Sequence, residues 1–147
     1  MKIRTSWAWI VLVVAGISLA GLLCAGKSAP RDGVYIHLTH GKDDPHRVLM
    51  ALNMANIMSE DHDVLVYFDI KGVDAVLKDA PDMTFAQFPS SKQQLSQLTK
   101  KGVTLMACPG CLKAAGKTAG DLAAGIATAD KTRFFSFTKG RILTIDY

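Results

Sequence analysis

Apolar and polar positions change rhythm several times along this 147-residue chain, and each rhythm predicts an element. From Trp7 to Ala25 the residues are apolar almost without interruption, broken only by Ser18 and glycines. About 18 such residues suffice to span a bilayer as a helix, whereas a signal-peptide core is commonly about 7–15. Lys2 and Arg4 precede the run, so residues 1–28 read either as a signal peptide or as an N-terminal membrane anchor. The positive-inside rule keeps those two cations cytoplasmic and sends the remainder to the periplasmic side of the inner membrane. If the anchor is retained, residues 7–25 are its contact with the inner membrane. Lipid attachment at Cys24 is disfavoured by Leu23, since processing usually wants a small residue there, and Cys24 reads as one more apolar residue of the run.

Gly26 to Asp32 mixes small residues, Pro30 and charges, which is the composition of a linker. Val34, Ile36 and Leu38 then alternate with Tyr35, His37 and Thr39, the period of a strand. Asp44 suits an N-cap and Pro45 a first helical position, so a helix is predicted over Pro45–Ser59. Val64–Phe68 is apolar nearly throughout and reads as a strand covered on both faces. A short helix at Val73–Leu77 and an irregular crossing at Pro81–Pro89 lead to Ser90, the predicted cap of a helix that Gly102 stops. Val103–Ala107 is another buried strand, and a helix opens over Cys111–Gly116. A short helix at Asp121–Gly125, a short strand at Ile126–Ala129, a helical segment at Asp130–Phe137 and a closing strand at Ile142–Ile145 complete the pattern.

This alternation predicts one α/β domain over residues 29–147, a mainly parallel sheet with helices on both faces, preceded by the apolar helix. Ligand sites in such sheets gather beyond the carboxyl ends of the strands. Thr39–Asp44 and Ala107–Cys111 end there and are expected to face one site.

Charge changes this picture little. The net charge is +4, but Lys2 and Arg4 belong to the leader, and beyond them 15 basic residues stand against 13 acidic ones. That balance, without a basic stripe interleaved with aromatics, argues against nucleic acid as a partner.

The chemistry concentrates at Cys108-Pro109-Gly110-Cys111. A thiol between a strand and a helix is presented at the rim of a rigid sheet, and the helix N-terminus favours its thiolate. Cys-x-x-Cys spacing admits a disulfide, a metal pair, or a nucleophile with a resolving partner. A structural staple gains little from so short a loop. The metal alternative takes Cys108, Cys111 and His40, with copper or zinc as the ion. A reactive pair, Cys108 as nucleophile and Cys111 as its resolving partner, is the leading reading, and it calls for no resident cofactor.

Around the turn, His40 stands at the expected active edge, and Lys42 and His46 are candidates to support a thiolate; Lys113 is a further cation near it. His37 reads as a packed, hydrogen-bonded histidine sharing a face with Tyr35, and His62 as a loop residue. Met50, Met54 and Met58 fall four apart and fit a core-facing stripe better than a copper surface. Phe134, Phe135 and Phe137 are expected to pack on the sheet. Gly110–Thr118 resembles a phosphate loop only superficially, because five residues rather than four separate its glycines.

The segment Val103-Thr-Leu-Met-Ala-Cys108-Pro-Gly-Cys111-Leu-Lys-Ala-Ala-Gly116 resembles the DsrE/DsrF-like sulfur-relay family. The Tyr35–Thr39 strand with its Gly41-Lys42-Asp43-Asp44-Pro45 turn, and the closing Arg141–Tyr147 stretch, extend the likeness over most of residues 33–147. The resemblance implies a five-stranded sheet flanked by helices and assembly into trimers or hexamers. It also implies that Cys108 accepts sulfane sulfur as a persulfide and hands it to a partner, a sulfur donor or acceptor; in an oxidising compartment the pair would also need a reductant protein. Cys111 matches a second cysteine found in some relatives. The leader departs from the cytoplasmic relay proteins. Two other functions stay in view: a copper- or zinc-binding accessory protein, and a structural subunit of a membrane assembly.

Overall fold

A computed structural model describes residues 29–147. The predicted leader or anchor lies outside the described residues. Among these, no helix is long and apolar enough to cross a membrane.

Strand β1 (Gly33–Leu38) turns Val34, Ile36 and Leu38 to one face of the sheet and Tyr35 and His37 to the other, as period-two geometry requires. It pairs in parallel with β2 (Asp63–Phe68), which sets His37 opposite Tyr67. Strand β3 (Thr104–Ala107) follows β2, the two-residue β4 (Ala127–Thr128) closes that edge, and β5 (Ile142–Asp146) lies on the far side of β1. The order is β4-β3-β2-β1-β5, parallel throughout, so the expected five-stranded α/β sheet is present.

Helix α1 (Pro45–Met58) begins where its sequence predicts. Asp44 accepts from the Arg47 N–H at 3.1 Å, and Pro45 occupies the first turn. Its Val48, Ala51, Leu52 and Ala55 are wholly buried against Val34, Ile36, Val66 and Phe68 of the sheet. Val48 and Leu52 each contribute roughly 1.5–3 kcal/mol by leaving water. Helix α2 (Ser91–Lys100) packs beside α1, and Leu98 joins the same core. Met54 and Met58 pack against this core, in keeping with the methionine stripe read from the sequence. At the end of α2, Gly102 takes φ +73°, a conformation that other residues adopt at a cost.

Several boundaries differ from expectation. The predicted helix at Val73–Leu77 is a 3₁₀ segment over Ile70–Val76 that starts directly after β2. Its first turn is tied to β1: the Asp69 N–H donates to Leu38, and the Lys71 and Gly72 N–H groups donate to Thr39. Any Cβ at position 72 would collide with the Leu38 carbonyl, which is why glycine stands there. Helix α3 (Pro109–Ala114) begins two residues earlier than read, because Pro109 opens it just as Pro45 opens α1. Only a 3₁₀ turn at Ala119–Asp121 forms where a helix at Asp121–Gly125 was expected; Asp121 accepts from the Thr118 N–H instead of capping the segment after it. Helix α4 (Lys131–Phe135) is shorter than Asp130–Phe137, with Asp130 as its cap.

Of the three phenylalanines expected on the sheet, Phe134 meets Tyr35 and Tyr67 edge-on at 5.5 and 5.4 Å between ring centroids. Phe137 is half-buried beside Gly33, while Phe135 is 70% exposed, so the apolar cluster does not sink as a unit. A five-residue helix turns only part of its circumference inward.

Candidate functional site at the carboxyl edge of the sheet

Cys108 is the N-cap of α3, in extended conformation, and its N–H donates to the Phe68 carbonyl at 2.8 Å. This bond continues the β2–β3 ladder one step and fixes the cysteine at the rim. The Cys111 N–H donates to Cys108 Sγ at 3.4 Å. From β2, the Tyr67 side chain bears on the same sulfur and favours its thiolate. Burial works against a thiolate here, but Tyr67, Cys111 and Gly110 outweigh it and hold Cys108 below the ordinary thiol range. With six residues, α3 has little dipole, so discrete neighbours rather than the helix end charge this sulfur.

Cys111 is the opposite case. Burial, Cys108 and the charge of Asp69 push its thiol up, against a lowering hydrogen bond from the Ile70 N–H, which reaches Sγ at 3.1 Å. Ile70 takes φ +50°, unusual for a β-branched residue, and that backbone twist delivers the N–H to the sulfur. Both cysteines are free thiols of intermediate exposure. The turn thus holds one thiol poised to ionise beside one kept protonated.

Below the turn, on the sheet face opposite α1, lies a histidine held from both sides. His37 Nε2 meets Asp69 at 2.9 Å and Nδ1 meets Asp146 at 2.9 Å. Burial opposes its charge, yet the two carboxylates prevail and raise its pKa. Tyr35 stacks on His37 at 6.0 Å, and Tyr67 lies 6.1 Å from His37 and 6.2 Å from Tyr35, so the three rings form a triangle. The expectation of a packed, hydrogen-bonded His37 sharing a face with Tyr35 is met. Burial also pushes the Tyr35 hydroxyl up to about 12, so it stays protonated.

The sequence-predicted supports divide differently. His40 Nδ1 bonds the Thr39 hydroxyl at 2.9 Å, and that hydroxyl donates to the Tyr147 carbonyl, so His40 is turned toward the β5 side. His46 stacks on Phe85 at 4.3 Å and holds the irregular crossing at 81–89. Lys42 and Lys113 are exposed. Among the described residues, the hydrogen bonds to the two sulfurs come from other groups than His40, His46 and Lys42. The set Cys108, Cys111 and His40 is not brought together as a metal site, and no other cluster of three His, Cys, Asp or Glu side chains is so arranged among the described residues. The physical reason is strand order. The end of β2, with Asp69 and Ile70, lies between the exits of β1 and β3, so Thr39–Asp44 and Ala107–Cys111 flank that segment rather than face each other.

Reasoning from sequence missed Tyr67, Asp69, Ile70 and Asp146. Two signals were there: Tyr67 breaks an apolar strand with a polar tip, and Asp69 follows that strand at its carboxyl end.

A paired thiol at the rim of a small parallel α/β sheet is the class of protein that fold and site define. The family model of DsrE/DsrF-like proteins matches residues 33–139, and the chain belongs to that family. Among solved structures, it is similar to the ychN protein of E. coli, with 18% identity and a TM-score of 0.61, covering 78% of this chain and 99% of that one. It is also similar to MTH1491 of Methanobacterium thermoautotrophicum, a protein of unknown function, with 20% identity and a TM-score of 0.56, covering 77% and 98%. At these identities the likeness is one of fold. No curated protein matches the sequence.

Proposed function

We propose that the protein carries sulfur on Cys108. The observation that bears most weight is the setting of this one sulfur: Cys108 caps α3 at the sheet rim, its Sγ takes the Cys111 N–H at 3.4 Å, and its surroundings lower its pKa. Family membership gives the chemistry its direction, since the family is generally one of sulfur relay.

In the proposed reaction the Cys108 thiolate attacks the sulfane sulfur of a polysulfide or thiosulfate. A new S–S bond forms on Cys108, the donor's S–S bond breaks, and a shortened polysulfide or sulfite leaves with the electron pair. A partner thiolate then takes the outer sulfur, and Cys108 departs as thiolate. Alternatively Cys111, on losing its proton, attacks Cys108 Sγ; a Cys108–Cys111 disulfide forms and hydrosulfide leaves. A dithiol reductant protein restores the pair.

Residues 29–147 are proposed as the DsrE-like domain, assembled as a trimer or hexamer, with residues 1–28 as signal peptide or membrane anchor. Lys2, Arg4 and the apolar run support a position on the periplasmic side of the inner membrane. An unattended thiol pair oxidises in that compartment, which is why the cycle requires the reductant. Intact-mass measurement after incubation with polysulfide or thiosulfate tests the reading. Wild type gains the mass of sulfur and Cys108→Ser does not; equal gain in both proteins, or none in either, overturns it.

A further inference from the structure

Asp69 occupies a position that sulfur loading alone does not explain. One of its carboxylate oxygens takes His37 at 2.9 Å, while the other is buried without any hydrogen-bond partner. The very next N–H, that of Ile70, lies 3.1 Å from Cys111 Sγ, so the covalent chain itself sets this carboxylate beside the second thiol. A carboxylate with one buried oxygen left unpaired is costly, and its charge opposes a second negative charge nearby. His37 balances it from the β1 side and is in turn held by Asp146 on β5.

Resting on the sulfur-relay reading, we propose that Asp69, charge-balanced by His37, keeps Cys111 in reserve and thereby sets how long sulfur stays on Cys108. A persulfide whose neighbour is a ready thiolate is discharged at once as hydrosulfide, with the disulfide left behind. When Cys111 remains a thiol, its attack waits and the sulfur survives to meet an acceptor. The polarity of the turn matches this need: Cys108 Sγ takes the Cys111 N–H, while the charge of Asp69 raises Cys111. Asp69 is accordingly a positioning residue, acting on Cys111 through its field.

The groups facing this arrangement are few. Cys111 meets Cys108, Asp69 and the Ile70 N–H; His37 meets Asp69, Asp146, Tyr35 and Tyr67. Lys71, on the same 3₁₀ segment, is drawn away to Asp43 at 3.4 Å.

The test follows the decay of sulfur-loaded protein after removal of excess polysulfide, quenched by alkylation and read by mass. Asp69→Asn is expected to shorten the lifetime about twofold or more, with disulfide and hydrosulfide appearing together. His37→Gln, which leaves Asp69 unbalanced, lengthens it. In a Cys111→Ser background neither substitution changes the decay. Unchanged decay in Asp69→Asn, or acceleration that persists in Cys111→Ser, overturns the proposal. The pH profile of Cys111 alkylation, mapped by peptide mass in unloaded protein, decides the matter separately from loading. Asp69→Asn moves its midpoint down, and an unmoved midpoint counts against the role. Failure of wild type to load sulfur at all sinks the relay reading, while this profile still reports on Asp69.

Discussion

Tyr67 stands directly opposite His37 in the parallel register of β1 and β2, and its side chain favours the thiolate of Cys108, the residue that follows β3. One residue thus joins the clamped histidine to the thiol. Burial and the neighbouring Cys108 push the Tyr67 hydroxyl's own ionisation well above the usual range, so it stays protonated at every physiological pH.

Tyr67→Phe removes that hydroxyl while keeping the ring that packs on Phe134. The midpoint of Cys108 alkylation against pH is expected to rise. An unshifted midpoint means that Tyr67 does not govern the thiol.

His37 gives stability a defined pH dependence. Its folded-state pKa is raised, so the contribution is complete below its unfolded value of about 6.5 and fades as pH climbs through the higher folded value. Thermal unfolding of wild type and His37→Gln should therefore differ most below about pH 6.5 and converge in more alkaline buffer. A gap that widens with pH contradicts the assignment.

Gly72→Ala places a Cβ on the Leu38 carbonyl, where the backbone of β1 cannot retreat. The clash falls in the same segment that brings Asp69 and Ile70 to the site. The variant should lose more than about 2 kcal/mol in urea unfolding, in the range of strained or overpacked positions. Gly110→Ala, whose Cβ would meet only Cys108 Sγ at 3.8 Å, should be nearly neutral in the same assay.

Asp44→Ala removes the cap of α1, with its bond to the Arg47 N–H and its ion pair to the Arg47 side chain at 3.0 Å. A loss of about 1 kcal/mol is expected. Asp44→Asn, which retains an acceptor, should recover most of it; a full loss there would assign the effect to the ion pair.

Local rules carried the sequence reading as far as they reach. Asp44-Pro45 announced α1, the alternation at Val34–Thr39 announced β1, and the Cys-x-x-Cys turn after an apolar strand announced the thiols. The partners of those thiols did not announce themselves, because they depend on strand order. Asp69 and Ile70 reach the cysteines only because β2 lies between β1 and β3, and Asp146 reaches His37 only because β5 returns to the other side of β1. His40, Lys42 and His46 were nearer in expectation than in space for the same reason. Cys108 as a cap was readable from Pro109, by the rule already applied at Pro45.

The state of Cys108 in protein taken directly from cells, trapped by alkylation at the moment of lysis and mapped by peptide mass, tests the central claim most directly. Sulfur-carrying chemistry at this rim predicts a population of Cys108 extended by sulfur or captured as a reactive thiol, with Cys111 bearing none of the extra sulfur. A Cys108–Cys111 disulfide in every molecule, inert to both polysulfide and a dithiol reductant, would contradict it.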